Sequence, residues 1–89
     1  MAAALFPYAP ADSVDGWLKL CVRYRGDAQA LLAAQRTSGA WLAAGFALEC
    51  CIKAAIMQKE RFNRWPGPDT APDLWTHDLR DLFKRLGID

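Results

Sequence analysis

The stretch that decides the fold is Ala40–Glu60, AWLAAGFALECCIKAAIMQKE. It is built of strong helix formers and holds no proline, so it predicts one helix from about Ala40 to Arg61. Projected at about 100° per residue, it separates two faces. One carries the bulky side chains Trp41, Leu42, Phe46, Leu48, Ile52 and Ile56. The other carries small ones, Ala40, Ala43, Ala44, Ala47, Cys51, Ala54 and Ala55. Such a helix has almost no face left for solvent and is expected at the centre of its bundle. The small residues permit a close helix approach, inside the chain or across a dimer interface.

On the N-terminal side, Thr37-Ser38-Gly39 interrupts the pattern, and an earlier helix is expected to stop around Arg36. That helix opens after Asp12 and Ser13, both able to cap exposed N–H groups. Val14, Trp17, Leu18, Cys21, Tyr24, Ala28, Leu31 and Leu32 recur at helical spacing. Gly16 and Gly26 weaken it, and a kink near Gly26 is expected. Residues 1–12 read as an irregular arm, because Pro7 and Pro10 interrupt them and no basic segment of a signal peptide is present.

On the C-terminal side, Phe62 to Thr76 holds Pro66, Gly67, Pro68 and Pro72, so no helix persists there. Trp65, Leu74 and Trp75 are expected to pin this connection to the core. A third helix starts near Thr76 as N-cap, with Asp78 in its first turn. Leu79, Leu82, Phe83 and Leu86 form its apolar face, Lys84 and Arg85 suit its last turn, and Gly87 ends it. No strand pattern occurs. The fold class is therefore all-α, an up-and-down bundle of three principal helices over residues 13–89.

Composition fits one globular domain: 89 residues, 53% hydrophobic, 24% charged. A chain of this size buries only about 60–65% of its unfolded surface, so self-association would help it. Eleven basic and ten acidic residues give a net charge of +1, which exerts no overall pull on nucleic acid or an anionic membrane. The longest uncharged run, Thr37 to Leu48, is too short to span a bilayer, and no membrane segment is expected. Cys21, Cys50 and Cys51 make no disulfide framework and no zinc quartet. They read as small buried apolar side chains in a reducing, cytoplasmic setting. No cofactor motif is found: the six glycines are dispersed.

Four residues are candidates for a ligand or interface site. Glu49 and Lys53 lie one turn apart in the order that favours an ion pair, yet inside the bulky apolar face. An isolated charge there is costly, so each should have a partner. The pair is either a polar site within the bundle or interface, or a structural ion pair with Lys53 reaching toward the surface. His77, the single histidine, sits beside Asp78 at the start of the third helix and fits capping or packing. Asp78 and Asp81 read as a solvated face. Lys59, Arg61 and Arg64 cluster with Phe62 and Trp65, with Arg80, Lys84 and Arg85 further on. Basic and aromatic side chains together can contact RNA, although cations at a helix end also complement its dipole.

The segment GFALECCIKAAIM, followed after a proline-rich gap by Thr76-His77-Asp78-Leu79 and Leu82, resembles the HEPN domain. The likeness covers roughly Trp17 to Ile88. It implies a helical bundle that dimerises and works near nucleotides or RNA. It also implies toxin–antitoxin or defence partners, either an antitoxin-type protein or a nucleotidyltransferase-like one. Catalytic members carry an Arg and, after four to six residues, a His. The corresponding positions before His77 are Thr70, Ala71 and Pro72, and Arg64 is too far upstream. The expectation is a truncated or nuclease-motif-lacking member. It would be a non-catalytic module that self-associates and binds nucleotide, RNA or a protein partner. The alternatives are a HEPN-type ribonuclease component and a plain helical adaptor.

Overall fold

The computed structural model describes residues 11–88; residues 1–10 of the expected N-terminal arm lie outside it. The chain is all-α and, among the described residues, contains no strand. Helix α1 spans Val14–Ala33, α2 spans Thr37–Glu60, a 3-10 turn covers Pro72–Leu74, and α3 spans Leu79–Leu86. Both α1 and α3 pack on α2, which is the central element expected from its sequence.

Helix α1 begins as its sequence dictates. Ser13 is extended and its side chain accepts from the Gly16 N–H at 3.0 Å. Gly16 is needed here, since a Cβ would stand 3.0 Å from both Ala11 Cβ and Ser13 Oγ. The helix continues through Gly26 to Ala33. It ends on Gln35, held in the left-handed region at φ 60°. The Gln35 N–H donates to Leu32 O and the Arg36 N–H to Leu31 O, at 3.0 and 2.7 Å. These are the two bonds of a Schellman motif, whose left-handed position normally favours glycine. Gln35→Gly should therefore raise the unfolding free energy by about 0.5–1 kcal/mol in a urea melt. An unchanged midpoint would mean the glutamine pays no conformational penalty.

Thr37-Ser38-Gly39 is not a break, as expected from sequence, but the first turn of α2. The reversal needs only Ala34 to Arg36, and Gly39 then lets Leu31 approach to 3.4 Å of where a Cβ would lie. The antiparallel register repeats every heptad: Leu31 against Gly39, Tyr24 against Phe46 (ring centroids 5.3 Å apart), and Trp17 against Lys53 (4.9 Å). Small residues on α2, Ala43, Ala47, Cys50 and Ala54, are all buried along this seam.

The expectation that α2 has no solvent face is corrected. Trp41, Leu42, Ala44, Leu48 and Cys51 are exposed, because α1 covers one side only and α3 is too short to reach the first half. Cys51 accordingly departs from the buried role expected of the cysteines; Cys50 is buried and Cys21 half-buried. No membrane segment was expected; Thr37–Glu60 is, by length and composition alone, long and apolar enough to cross a bilayer. Much of that stretch is packed inside the protein, as in the core helix of a soluble bundle.

Helix α2 closes on Arg61, again left-handed at φ 56°. The connection that follows is anchored at both ends. Trp65 donates its backbone N–H to Asp12 O at 2.7 Å, and Leu74 is fully buried. Trp75 does not enter the core as expected. It is half-exposed, and its indole N–H donates to Pro66 O at 2.8 Å, closing the loop on itself. The N-cap of α3 is Asp78 rather than Thr76. Asp78 accepts from the Arg80 N–H at 2.9 Å, while Thr76 Oγ1 accepts from the Asp78 N–H one turn earlier. Gly87 ends α3 in the left-handed region, as its sequence predicts.

Candidate functional site

Glu49 and Lys53 stand in the middle of α2, and their side chains are each only 7% exposed. The i, i+4 geometry of the helix brings Lys53 Nζ to 3.0 Å from Glu49 Oε2. The third member comes from far along the chain. The 3-10 turn and the Trp75–Pro66 closure direct the loop back over α2, and the turn at Thr76 sets His77 just before the Asp78 cap. His77 Nδ1 then lies 3.0 Å from Glu49 Oε1 and 2.9 Å from Oε2. An ionised carboxylate only accepts, so His77 carries its proton on Nδ1. His77 is therefore not the first-turn helix residue expected from sequence. It clamps the loop onto α2.

Lys53 is held from the other side by aromatic rings. Its ammonium lies 4.9 Å from the Trp17 ring centroid and 5.6 Å from that of Trp65. The two indoles meet edge to face with centroids 5.4 Å apart. A cation shielded from water over two ring faces gains about 2 kcal/mol or more from the quadrupoles. The Trp17 indole N–H is itself buried with no hydrogen-bond partner among the described residues. Cys50, also buried, completes the floor; burial, then the neighbouring Glu49 charge, push its thiol up to about 12, so it stays protonated.

This assembly is a buried ion pair with one outlet. His77 is 53% exposed on its side chain and links Glu49 to the surface. Chemically it is a carboxylate-oriented imidazole that reaches the surface. Among the described residues, no group of three or more His, Cys, Asp or Glu side chains could hold a metal ion.

Three of the four candidate site residues, Glu49, Lys53 and His77, thus come together. Asp78 does not join them, because its carboxylate caps α3. Sequence reasoning missed the part played by Trp17 and Trp65 around Lys53. The Trp17–Lys53 opposition follows from the heptad register, which no local pattern reveals.

The basic cluster dissolves into separate structural roles. Lys59 Nζ donates to Leu86 O at 2.8 Å and to Arg85 O at 3.4 Å, capping the C-terminus of α3. Arg64 pairs with Asp12 at 3.3 Å. Arg85 binds Glu60 through Nε and Nη2, both at 2.7 Å, and Asp73 through Nη1 at 2.5 Å. That contact holds the Glu60 carboxyl below its ordinary range. Trp65, expected in an RNA contact, is only 8% exposed and packs edge to face on Trp17. Arg61 remains exposed beside it.

A second feature is the apolar face of the α1–α2 hairpin. Trp41, Ala44, Leu48 and Cys51 follow each other at spacings of three, four and three, which is one stripe of a helix, and all are exposed. Trp41 is 77% exposed. Leu18, Val22 and Leu32 are exposed on α1. Cys21 on α1 neighbours Cys51 on α2 across the hairpin. Comparison of the chain with protein-family models, with curated proteins and with solved structures finds no match.

Proposed function

We propose that the chain is a non-catalytic, HEPN-like helical module that works by self-association through the exposed face of α2. The observation that carries this reading is the uncharged stripe Trp41, Ala44, Leu48 and Cys51, on which the large Trp41 side chain is 77% exposed. Apolar patches of this kind mark interaction surfaces. The stripe is also self-complementary. If two α2 helices pair antiparallel about a two-fold axis near Phe46, Trp41 of one copy meets Cys51 of the other, and Ala44 meets Leu48. Each large side chain then faces a small one, as an isologous interface requires. The HEPN resemblance, carried by GFALECCIKAAIM and Thr76-His77-Asp78-Leu79, adds dimerisation as a family habit. The structure draws those two segments together through Glu49 and His77.

The Glu49–Lys53–His77 assembly is, on this reading, a structural clamp that sets the third helix against α2. An antitoxin-type or nucleotidyltransferase-like protein would bind the assembled dimer. RNA contact has weaker support, since Lys59, Arg64 and Arg85 are engaged within the chain.

Sedimentation equilibrium tests the proposal. The wild type should be a dimer, and Trp41→Glu should weaken the association at least about 100-fold, the scale of a central aromatic anchor, with an unchanged helical circular-dichroism spectrum. A wild-type chain that stays monomeric at high concentration would overturn the reading. Association unaffected by both Trp41→Glu and Leu48→Glu would place the interface elsewhere.

A further inference from the structure

Three cysteines occupy three environments. Cys50 is buried in the hairpin seam, and burial followed by the Glu49 charge push its thiol to about 12. Cys51, its neighbour in sequence, turns outward and is exposed. Cys21 is half-buried on α1, and Cys51 is a close enough neighbour to raise its thiol. The register explains the meeting. Residues Trp17, Tyr24 and Leu31 oppose Lys53, Phe46 and Gly39, so Leu20 falls opposite Cys50 and Cys21 beside Cys51. Two thiols from different helices are thus neighbours on one flank of the hairpin, with a third close by that is protonated and enclosed.

We infer that Cys21 and Cys51 are a reversible dithiol–disulfide pair that staples α1 to α2 in the presence of a low-molecular-weight disulfide. Cys51 is the entry point because it is the one of the three that such a reagent can reach. Its thiolate attacks one sulfur of the small disulfide, forming a mixed disulfide and expelling one small thiolate. Cys21 then gives up its proton and attacks the Cys51 sulfur. The protein disulfide forms, and the second small thiolate leaves. Both small thiolates are protonated by the two protons the cysteines lose. Two protein thiols are oxidised and one small disulfide is reduced to two thiols. The second step is the slower one at neutral pH, because burial and the adjacent Cys51 hold the Cys21 thiol above its ordinary value. It accelerates as pH rises. The bridge encloses the whole α1–α2 turn, so it restricts the unfolded chain and shifts the melting midpoint upward. The pairing belongs to a single chain and does not depend on self-association. A dimer that covers Cys51 would only make exchange wait for dissociation.

The test equilibrates the full chain, as wild type and as Trp41→Glu, with mixtures of reduced and oxidised glutathione, followed by acid quench and intact mass. The expected product has lost two hydrogen atoms and carries no glutathione. A non-reducing tryptic map should join the peptide Leu20–Arg23 to Thr37–Lys53, which holds both Cys50 and Cys51. Cys50→Ser should leave this link intact, which assigns it to Cys51. Cys21→Ser should stop at one glutathione on Cys51, and Cys51→Ser should take up none. Oxidised protein should melt at a higher temperature than reduced protein. Formation in Trp41→Glu alone, or in both chains, supports the pair. A mixed disulfide that persists in both, a link through Cys50, or a bridge between two chains overturns it.

Discussion

Glu49→Ala should lower the unfolding free energy by about 3–5 kcal/mol, the cost of removing one partner from a buried pair. Lys53 would then stand 7% exposed with its Glu49 partner gone, beside the two indole faces. His77 would lose its bond as well, and the loop that precedes α3 would lose its attachment to α2. A domain of this length has about 4–13 kcal/mol in total, so the variant should be partly unfolded at moderate temperature. The measurement is a urea melt. Its decisive form is a double-mutant cycle with Lys53→Met, which removes the stranded cation. The double variant should be clearly more stable than the sum of the two single losses, with a coupling of about 1–3 kcal/mol. Single losses that simply add would show that Glu49 and Lys53 are independent. A near-zero effect of Glu49→Ala would place the carboxylate in water.

The local chemistry of the ends was legible and the long-range geometry was not. Ser13 at the start of α1 and Gly87 at the end of α3 act as their residue types dictate. The end of α1 falls at Ala33, shortly before the Arg36 expected, and its left-handed terminator, Gln35, is a residue with no turn preference to read. Thr37-Ser38-Gly39 looked like a break for the same reason a helix can start there: small polar residues fit a first turn, and Gly39 admits Leu31. The burial of Trp41, Leu42 and Leu48 was misjudged because hydropathy shows which side chains avoid water, not which elements exist to cover them. A 24-residue α2 has one long neighbour and one of eight residues, so part of it stays bare. The pairing of Glu49 with Lys53 was readable from spacing. The arrival of His77, 28 residues later, depends on the path of a loop held by Trp65, Leu74 and the Trp75–Pro66 bond.

Leu82→Ala is expected to cost about 2–5 kcal/mol and to release α3 from α2. Leu82 is completely buried, and it is the one residue of α3 classed as buried. Eight residues are too few to hold a helix in water without tertiary contacts. Leu79, Phe83 and Leu86 also pack on the core but are only partly buried, and the polar attachments are weaker. The Lys59 bonds to Leu86 O and Arg85 O are exposed, and the Arg85 pairs with Glu60 and Asp73 are only partly shielded. Exposed pairs contribute about 1 kcal/mol or less each. Hydrogen exchange should therefore show α3 amides losing protection well before those of the α1–α2 seam. Because His77 precedes the Asp78 cap, its bond to Glu49 should loosen with the helix, and the buried ion pair should become accessible to water from that side. The proposed self-association face on Trp41 and Leu48 lies on the half of α2 that α3 does not reach, so any dimer formed through it should survive the substitution. Loss of α3 protection together with the dimer would show that the two halves of α2 are coupled more tightly than these contacts imply. Protection of α3 as high as wild type would show that its other contacts, Leu79, Phe83 and Leu86 with the Arg85 and Lys59 bonds, hold it without Leu82.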